Sequence, residues 1–496
     1  MPKARTLSPQ DLIAADYSLV LPLRVDLGGG QPAIIECCKC LRMLPGCRLV
    51  LEGQWQQQRV VLKLFFRRKD FQREKRGHRQ LNEAGLWTPE LLLSWSTEQR
   101  ASPAVDVLIY RFVKGSSLMA LWQGEKELRA RALHFTRAVA VIAQMHQAGL
   151  QQKDIHLDNF LVSNGRLCIL DAGTVSRGAA PLESEKAHQN LAWLLAQVPS
   201  INDRHIDEIF NGYVRGLSAK SQAPDFSASQ LRKTVTQLRT KRWWRYQQKL
   251  TRSCTEFVVD KCWNRFQVIR RDSDNPALRE LLADIDGAMA LGVCLKDGKT
   301  ATVTKVKTGD RSLVIKRYNI KNWKHGLGRL LRSSQAWDSW CSAYHLRFEG
   351  LLTPLPIALV EERIGPGRRR AYFITDYAQG PNLLSAMSGN GAMPLSEQAL
   401  DDTVVDTFTG LLAARLSHGN MQATHFIVTS QGLSTIDLDT MNFYVSKQKH
   451  KKALRRDFEQ FMGNYPSEQK THFKRVLQPV YQLLDTSLGR GTSDEE

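Results

Sequence analysis

Two stretches of the chain share one layout, and this internal repeat limits the possible folds more than any other feature of the sequence. Lys153-Asp154-Ile155-His156-Leu157-Asp158-Asn159 is followed by Ile169-Leu170-Asp171-Ala172-Gly173. His418-Gly419-Asn420-Met421-Gln422-Ala423-Thr424-His425 is followed by Thr435-Ile436-Asp437-Leu438-Asp439. Seventeen positions separate Asp154 from Asp171, and seventeen separate Asn420 from Asp437. The pairs Asp154/Asn420 and Asp171/Asp437 are each offset by 266 residues, and Thr88-Pro89 precedes Thr353-Pro354 by 265. Spacing this steady indicates a duplicated domain. At 496 residues the chain is long enough for two ordinary cores.

Local patterning repeats as well. Residues 31–66 read as short strands, among them Pro32–Ile35, Arg48–Glu52 and the β-branched run from Arg59 to Phe66. Asp70–Ala84 reads as an amphipathic helix stopped at Gly85, Val105–Val113 as a strand, and Glu125–Gln147 as a helix. The second copy gives strands at Ala301–Lys307, Arg311–Tyr318 and Ala371–Tyr377, with helices at Ser333–Phe348 and Leu400–Leu416. The expected division is an N-terminal segment 1–30, a first domain 31–270, a linker 271–285, a second domain 286–487 and a disordered tail 488–496. The linker rests on Arg270-Arg271-Asp272-Ser273-Asp274-Asn275-Pro276.

The residues kept in the first copy suit phosphoryl transfer. That chemistry needs a cation on the nucleotide phosphates, metal ligands, and a group that orients the attacking hydroxyl. Lys63, at the end of Val-Val-Leu-Lys, is placed to meet the phosphates, and Glu74 on the next helix to hold it by an ion pair. Asp154 is the candidate acceptor of the hydroxyl proton; Asn159 and Asp171 are the candidate ligands of magnesium. ATP and Mg2+ are the cofactors this set requires. Each element alone is common by chance, and their order and spacing carry the reading. The fold class expected is α+β: two tandem protein-kinase-like domains, each a small β-rich lobe followed by a mostly helical lobe. The first copy departs from the usual pattern in three ways. Only Gly46 and Gly53 stand where a glycine-rich phosphate-covering loop would lie, Gln152 and Lys153 precede Asp154, and the metal triplet is Asp171-Ala172-Gly173.

In the second copy Lys316 matches Lys63 as a nucleotide-binding candidate, and Asp437 matches Asp171. Ser339 stands where Glu74 does, Asn420 replaces Asp154, and His425 replaces Asn159. An amide does not take a proton as a carboxylate does, and imidazole is a poor ligand for hard magnesium. This copy reads as a pseudokinase.

The run Gln152-Lys153-Asp154-Ile155-His156-Leu157-Asp158-Asn159-Phe160-Leu161 resembles the catalytic loop of the bacterial lipopolysaccharide core heptose and Kdo kinases. Leu44-Pro45-Gly46-Cys47-Arg48 with Gly53-Gln54-Trp55, and Asn190-Leu191-Ala192-Trp193-Leu194-Leu195, resemble the same family. The resemblance covers about residues 40–260 and continues more loosely over 295–475. It implies a lipopolysaccharide inner-core sugar as acceptor. The alternatives are a non-catalytic scaffold that binds glycolipid or partner proteins, and a kinase of another small molecule or protein.

A net charge of +20 points to an anionic partner. The basic run Arg232–Arg252 holds Trp243, Trp244 and Tyr246 and no acid. It suits an anionic inner-membrane surface, or equally a solvated helix whose tryptophans pack inward. No nucleic-acid reader motif accompanies the charge. No apolar run is long enough to span a bilayer, and Met-Pro-Lys-Ala-Arg-Thr lacks the apolar core of a secretory signal. The nine cysteines, odd in number, read as reduced thiols, and the group Cys37, Cys38, Cys40 and Cys47 lacks metal-knuckle spacing. The expected location is the cytoplasmic face of the inner membrane.

Overall fold

The computed structural model describes residues 5–8, 11–12, 19–27, 34–44, 46–96, 105–125, 127–217, 223–319, 333–364, 367–389 and 392–486. The expected tail, 488–496, lies outside them, as does half of the N-terminal segment. The fold is mixed α+β. The chain divides into two compact units, Met1–Gln197 with Arg204–Leu238, and Val198–Asp203 with Arg239–Glu496.

The first unit opens with β1 (Arg5–Leu7), β2 (Leu23–Asp26), β3 (Ile34–Leu44), β4 (Arg48–Trp55) and β5 (Gln58–Phe65). Helix α1 (Arg68–Glu83), β6 (Leu91–Ser96) and β7 (Asp106–Arg111) come next. The strands form one sheet in the order β1-β2-β3-β4-β5-β7-β6, antiparallel except for β1 with β2. Successive side chains alternate between the faces of a strand. Val60, Leu62 and Leu64 of β5 therefore join Leu23, Ile35 and Leu51 in a core on one face. Phe65 turns to the other face, where it packs with Phe71 of α1 and with Leu108 and Tyr110 of β7. Lys63 shares the parity of Phe65, which delivers its amine toward α1. The helix buries Phe71, Glu74, Gly77, His78 and Leu81, a single stripe at helical spacing. It stops where Gly85 takes φ +68°, with Leu86 N–H donating to Leu81 O at 3.0 Å and Gly85 N–H to Asn82 O at 2.9 Å.

The rest of the first unit is mostly helical. Leu128–Gln147 packs on Ile206–Gly216 through small residues; a Cβ on Gly216 would meet the Ala140 backbone at 2.7 Å. Short strands at Leu150–Gln152, Phe160–Ser163, Arg166–Ile169 and Val175–Arg177 frame the Asp154 loop.

The second unit contains β8 (Phe257–Cys262), β9 (Arg265–Arg270), β10 (Val293–Asp297), β11 (Ala301–Thr308), β12 (Arg311–Tyr318), α2 (Gln335–Phe348), β13 (Pro356–Ile364) and β14 (Gly367–Asp376). Its sheet runs β8-β9-β13-β14-β12-β11-β10. Five strands and a helix thus recur in one order: β3-β4-β5-β7-β6 with α1, and β10-β11-β12-β14-β13 with α2. The additions differ. The first sheet is extended beside β3, the second by a hairpin beside β13.

That hairpin corrects the expected linker. Residues 257–270 belong to the second sheet, with Ile269 opposite Ala358, and residues 271–285 are folded. Asn275 caps the helix Pro276–Ala283, its side chain accepting from Leu278 N–H at 2.9 Å. Asn-Pro here starts a helix, because proline at the first helical position loses no hydrogen bond. The division between units falls instead inside the helix Ala228–Gln247.

Residues 198–203 complete the second unit. The buried Arg239 guanidinium donates to Asp203 at 2.8 and 2.7 Å and to Val198 O at 3.0 Å, and Ser200 N–H donates to Glu349 at 2.9 Å. The same helix decides the tryptophan question residue by residue. Trp243 is buried and stacks on His345 with ring centroids 3.9 Å apart, so it is no membrane anchor. Trp244 is 47% exposed. Among the described residues no helix is long and apolar enough to cross a membrane.

Candidate active site

In the first unit a cleft of about 270 Å³ is bounded by Val50, Val61, Lys63, Tyr110, Leu161 and Asp171, among others. Apolar side chains from β4, β5 and the strand Phe160–Ser163 form its walls, and the charged groups converge at one end.

Glu74 organises that end. Its buried carboxylate forms an ion pair with Lys63 through Oε1, and Oε2 accepts the Gly173 N–H at 2.9 Å. One residue of α1 thereby ties the lysine strand to the segment Asp171-Ala172-Gly173. Gly77, nearly one turn further on, permits this approach, since a Cβ there would lie 1.9 Å from Ala172 O. Asp171 itself adopts φ +51°, a left-handed conformation disfavoured for a residue with a side chain.

What holds that backbone is a buried relay. Gln152 Nε2 donates to Leu170 O at 2.9 Å and to Asp171 O at 3.1 Å. Asn190 Nδ2 donates to Gln152 O at 2.8 Å, so its Oδ1 is left to accept from His146 Nε2 at 3.1 Å. His146 Nδ1 then accepts from the Tyr213 hydroxyl at 2.9 Å. Burial lowers the His146 pKa to about 4, which keeps the ring neutral in the tautomer the relay needs. Gln152, one of the two residues before Asp154 that depart from the usual pattern, thus holds the backbone of the aspartate segment. Its counterpart 266 residues on, His418, makes the matching bond: Nε2 donates to Ile436 O at 3.0 Å.

The loop carrying Asp154 closes on itself. Asn159 Nδ2 donates to Asp154 O at 2.9 Å, and Leu170 N–H donates to Asn159 O at 2.7 Å. The Asp154 carboxylate is exposed and lies 3.0 Å from His156 Nε2. Gly46 sits in the turn between β3 and β4 with φ +62°. Gly53 lies within β4, where a Cβ would meet Glu36 O at 2.4 Å, so its smallness serves strand pairing. The structure brings Lys63, Glu74 and Asp171 together; it does not bring Gly46 or Gly53 to the cleft wall.

Arg48 is the residue that sequence reasoning missed. It opens β4 directly after the Gly46 turn, and its guanidinium donates to both Asp171 oxygens, at 3.0 and 3.4 Å. Glu74 lies 3.8 Å from the same guanidinium, and Arg42 of β3 lies 3.7 Å from Asp171. Burial works against the Asp171 charge, but Lys63 and Arg48 hold its pKa below the ordinary carboxylate value. The donor set fits magnesium. Asp171 supplies a carboxylate, and Asn159 keeps its amide oxygen free by donating through nitrogen. A cation binding Asp171 takes an oxygen now held by Arg48.

The second unit is wired differently. Ser339, without a carboxylate, bonds to the Tyr318 hydroxyl at 2.7 Å, and Lys316 forms its ion pair directly with Asp437. Asp439 adds a second carboxylate 3.4 Å from Lys316. The other Asp437 oxygen lies 3.2 Å from His425 Nε2, and His425 Nδ1 faces Asn420 O at 2.9 Å. Asn420 Oδ1 accepts from Gln460 at 2.8 Å. Both oxygens of Asp437 thus face cationic or imidazole partners.

No protein-family model matches the sequence, and no curated protein matches it. Among solved structures, a chain described as "WaaP in complex with acyl carrier protein" aligns over 42% of this chain and 87% of its own. It shares 17% sequence identity, with a TM-score of 0.32.

Proposed function

We propose that the chain is an ATP-dependent phosphotransferase of kinase type whose first unit catalyses transfer to a sugar hydroxyl of the lipopolysaccharide inner core, heptose or Kdo. The observation that carries this reading is the linkage Lys63–Glu74–Gly173 beside Asp171, at the end of an apolar cleft with Asp154 and Asn159 on the adjoining loop. In this reading Lys63 binds the nucleotide phosphates. Asp154 takes the proton of the acceptor hydroxyl as that oxygen bonds to the γ-phosphorus and the bond to ADP breaks. Asp171 and Asn159 would hold magnesium, which neutralises charge on the phosphates when bound. The acceptor class rests on the sequence resemblance and is compatible with the net charge of +20. The second unit, lacking Asp154 and Glu74 equivalents, positions the acceptor or regulates the first, and the chain works at the anionic cytoplasmic surface of the inner membrane.

The test is the phosphate content of core oligosaccharide, by mass spectrometry, in cells making the wild-type protein or Asp154→Asn. Loss of one phosphate with normal protein levels is expected; with purified protein, MgATP turnover should fall by about a hundredfold or more. Unchanged phosphate removes the acceptor assignment. One observation favours a second reading, a non-catalytic glycolipid-binding scaffold: Arg48 already holds both oxygens of Asp171. Absence of any MgATP turnover in the wild type would select it.

A further inference from the structure

We infer that Arg48, assisted by Arg42, is a nucleotide-phosphate ligand that exchanges places with the metal at Asp171, doing with side chains what a glycine-rich loop does with backbone N–H groups. The inference rests on the phosphotransferase reading of this cleft and names how it grips a polyphosphate.

Three observations carry it. The first is position. Arg42 and Arg48 flank the β3–β4 turn and, without lining the cleft themselves, reach two residues that do: both pair with Asp171, and Arg48 also lies 3.8 Å from Glu74. The second is unused bonding capacity. Arg48 presents both terminal nitrogens to Asp171, while its Nε is buried with no hydrogen-bond partner among the described residues. A buried donor without an acceptor is costly, and a phosphate oxygen is the acceptor a guanidinium fits best. The third is charge. Lys63, Arg42 and Arg48 meet only Glu74 and Asp171 among the ion pairs here, leaving the cluster one positive charge in excess. A polyphosphate neutralises that excess. With a metal held by Asp171, Arg48 would give up one of its two contacts there and turn that nitrogen to the phosphates.

This makes a prediction of opposite signs. Arg48→Gln removes a cation that competes for Asp171 and a ligand that holds phosphate. Binding of Mn2+ alone, followed by electron paramagnetic resonance, should become several-fold tighter. Binding of ATP, followed by calorimetry with and without Mg2+, should become about tenfold weaker. Arg48→Lys keeps the charge with a single contact, and should shift both affinities in the same directions by less; it also serves if Arg48→Gln fails to fold. Arg42→Gln, which removes a longer and more exposed contact to Asp171, should weaken ATP binding and tighten Mn2+ binding, each by less than Arg48→Gln does. Mn2+ and ATP affinities that fall together in the Arg48 variants would mark Arg48 as a structural anchor and overturn the inference. So would variants that bind both as the wild type does. A wild-type chain that binds neither ATP nor Mn2+ would overturn the phosphotransferase reading itself, and the inference with it.

Discussion

Asp171→Asn is expected to slow MgATP-dependent phosphoryl transfer by about a thousandfold, the consequence of losing several kcal/mol of charge stabilisation. The asparagine keeps the shape of the side chain, but only its single oxygen accepts, so one of the two Arg48 contacts is lost together with the charge. Without the carboxylate, the site loses its candidate anionic metal ligand and the counter-charge for Arg48, which sits 3.0 Å away and is largely buried. Lys63 is less affected, since Glu74 remains its direct partner. Turnover measured against magnesium concentration would distinguish the causes. A rate recovered at high magnesium assigns the loss to metal affinity; a rate low throughout assigns it to the transferred phosphate. An unimpaired variant would remove Asp171 from the chemistry.

The second large effect is on stability. Burial lowers His345 to about 3 and His418 and His146 to about 4, against an ordinary value near 6.5. Folded, these rings are neutral; unfolded, they take a proton once the pH drops below about 6.5. Their contribution is therefore complete above that pH and is lost as the pH falls toward 4, by roughly 3 kcal/mol for each ring at full effect. Asp457 acts in the opposite direction. Burial raises it to about 6, so its strain as a carboxylate is relieved over part of the same range. Three rings outweigh one acid. Urea unfolding at pH 7 and pH 4.5 should show a marked loss of stability at the lower pH. In His345→Phe, which keeps an aromatic surface against Trp243, the profile should flatten. Equal stability at both pH values would mean that the rings are solvated.

The range of each interaction decides how much of the fold and site was legible in the sequence. Local signals were readable: the β-branched run from Arg59 to Phe66, the stop at Gly85, and the seventeen-residue spacing from Asp154 to Asp171 that recurs from Asn420 to Asp437. The ion pair of Lys63 with Glu74 was readable because strand and helix are neighbours in sequence. Arg48 was not, because nothing near it in the chain marks a partner 123 residues away. Trp243 was not, because the indole's cover comes from His345 and Phe348, a hundred residues on, while its own neighbours are basic. Asn275-Pro276 misled for a physical reason. The same dipeptide breaks a chain or starts a helix, and only its tertiary surroundings decide between the two.

The hexapeptide from Val198 to Asp203 has a wider implication for how such a chain can change over generations. It belongs to the second unit but is encoded within the first, and it supplies the anion for a buried guanidinium at Arg239. A piece beginning at residue 239 would carry that charge without its partner, a loss of about 3–5 kcal/mol. The halves are interleaved as modules joined end to end are not. A truncation or exchange between residues 203 and 239 breaks the second unit, so neither unit can be replaced there without the other.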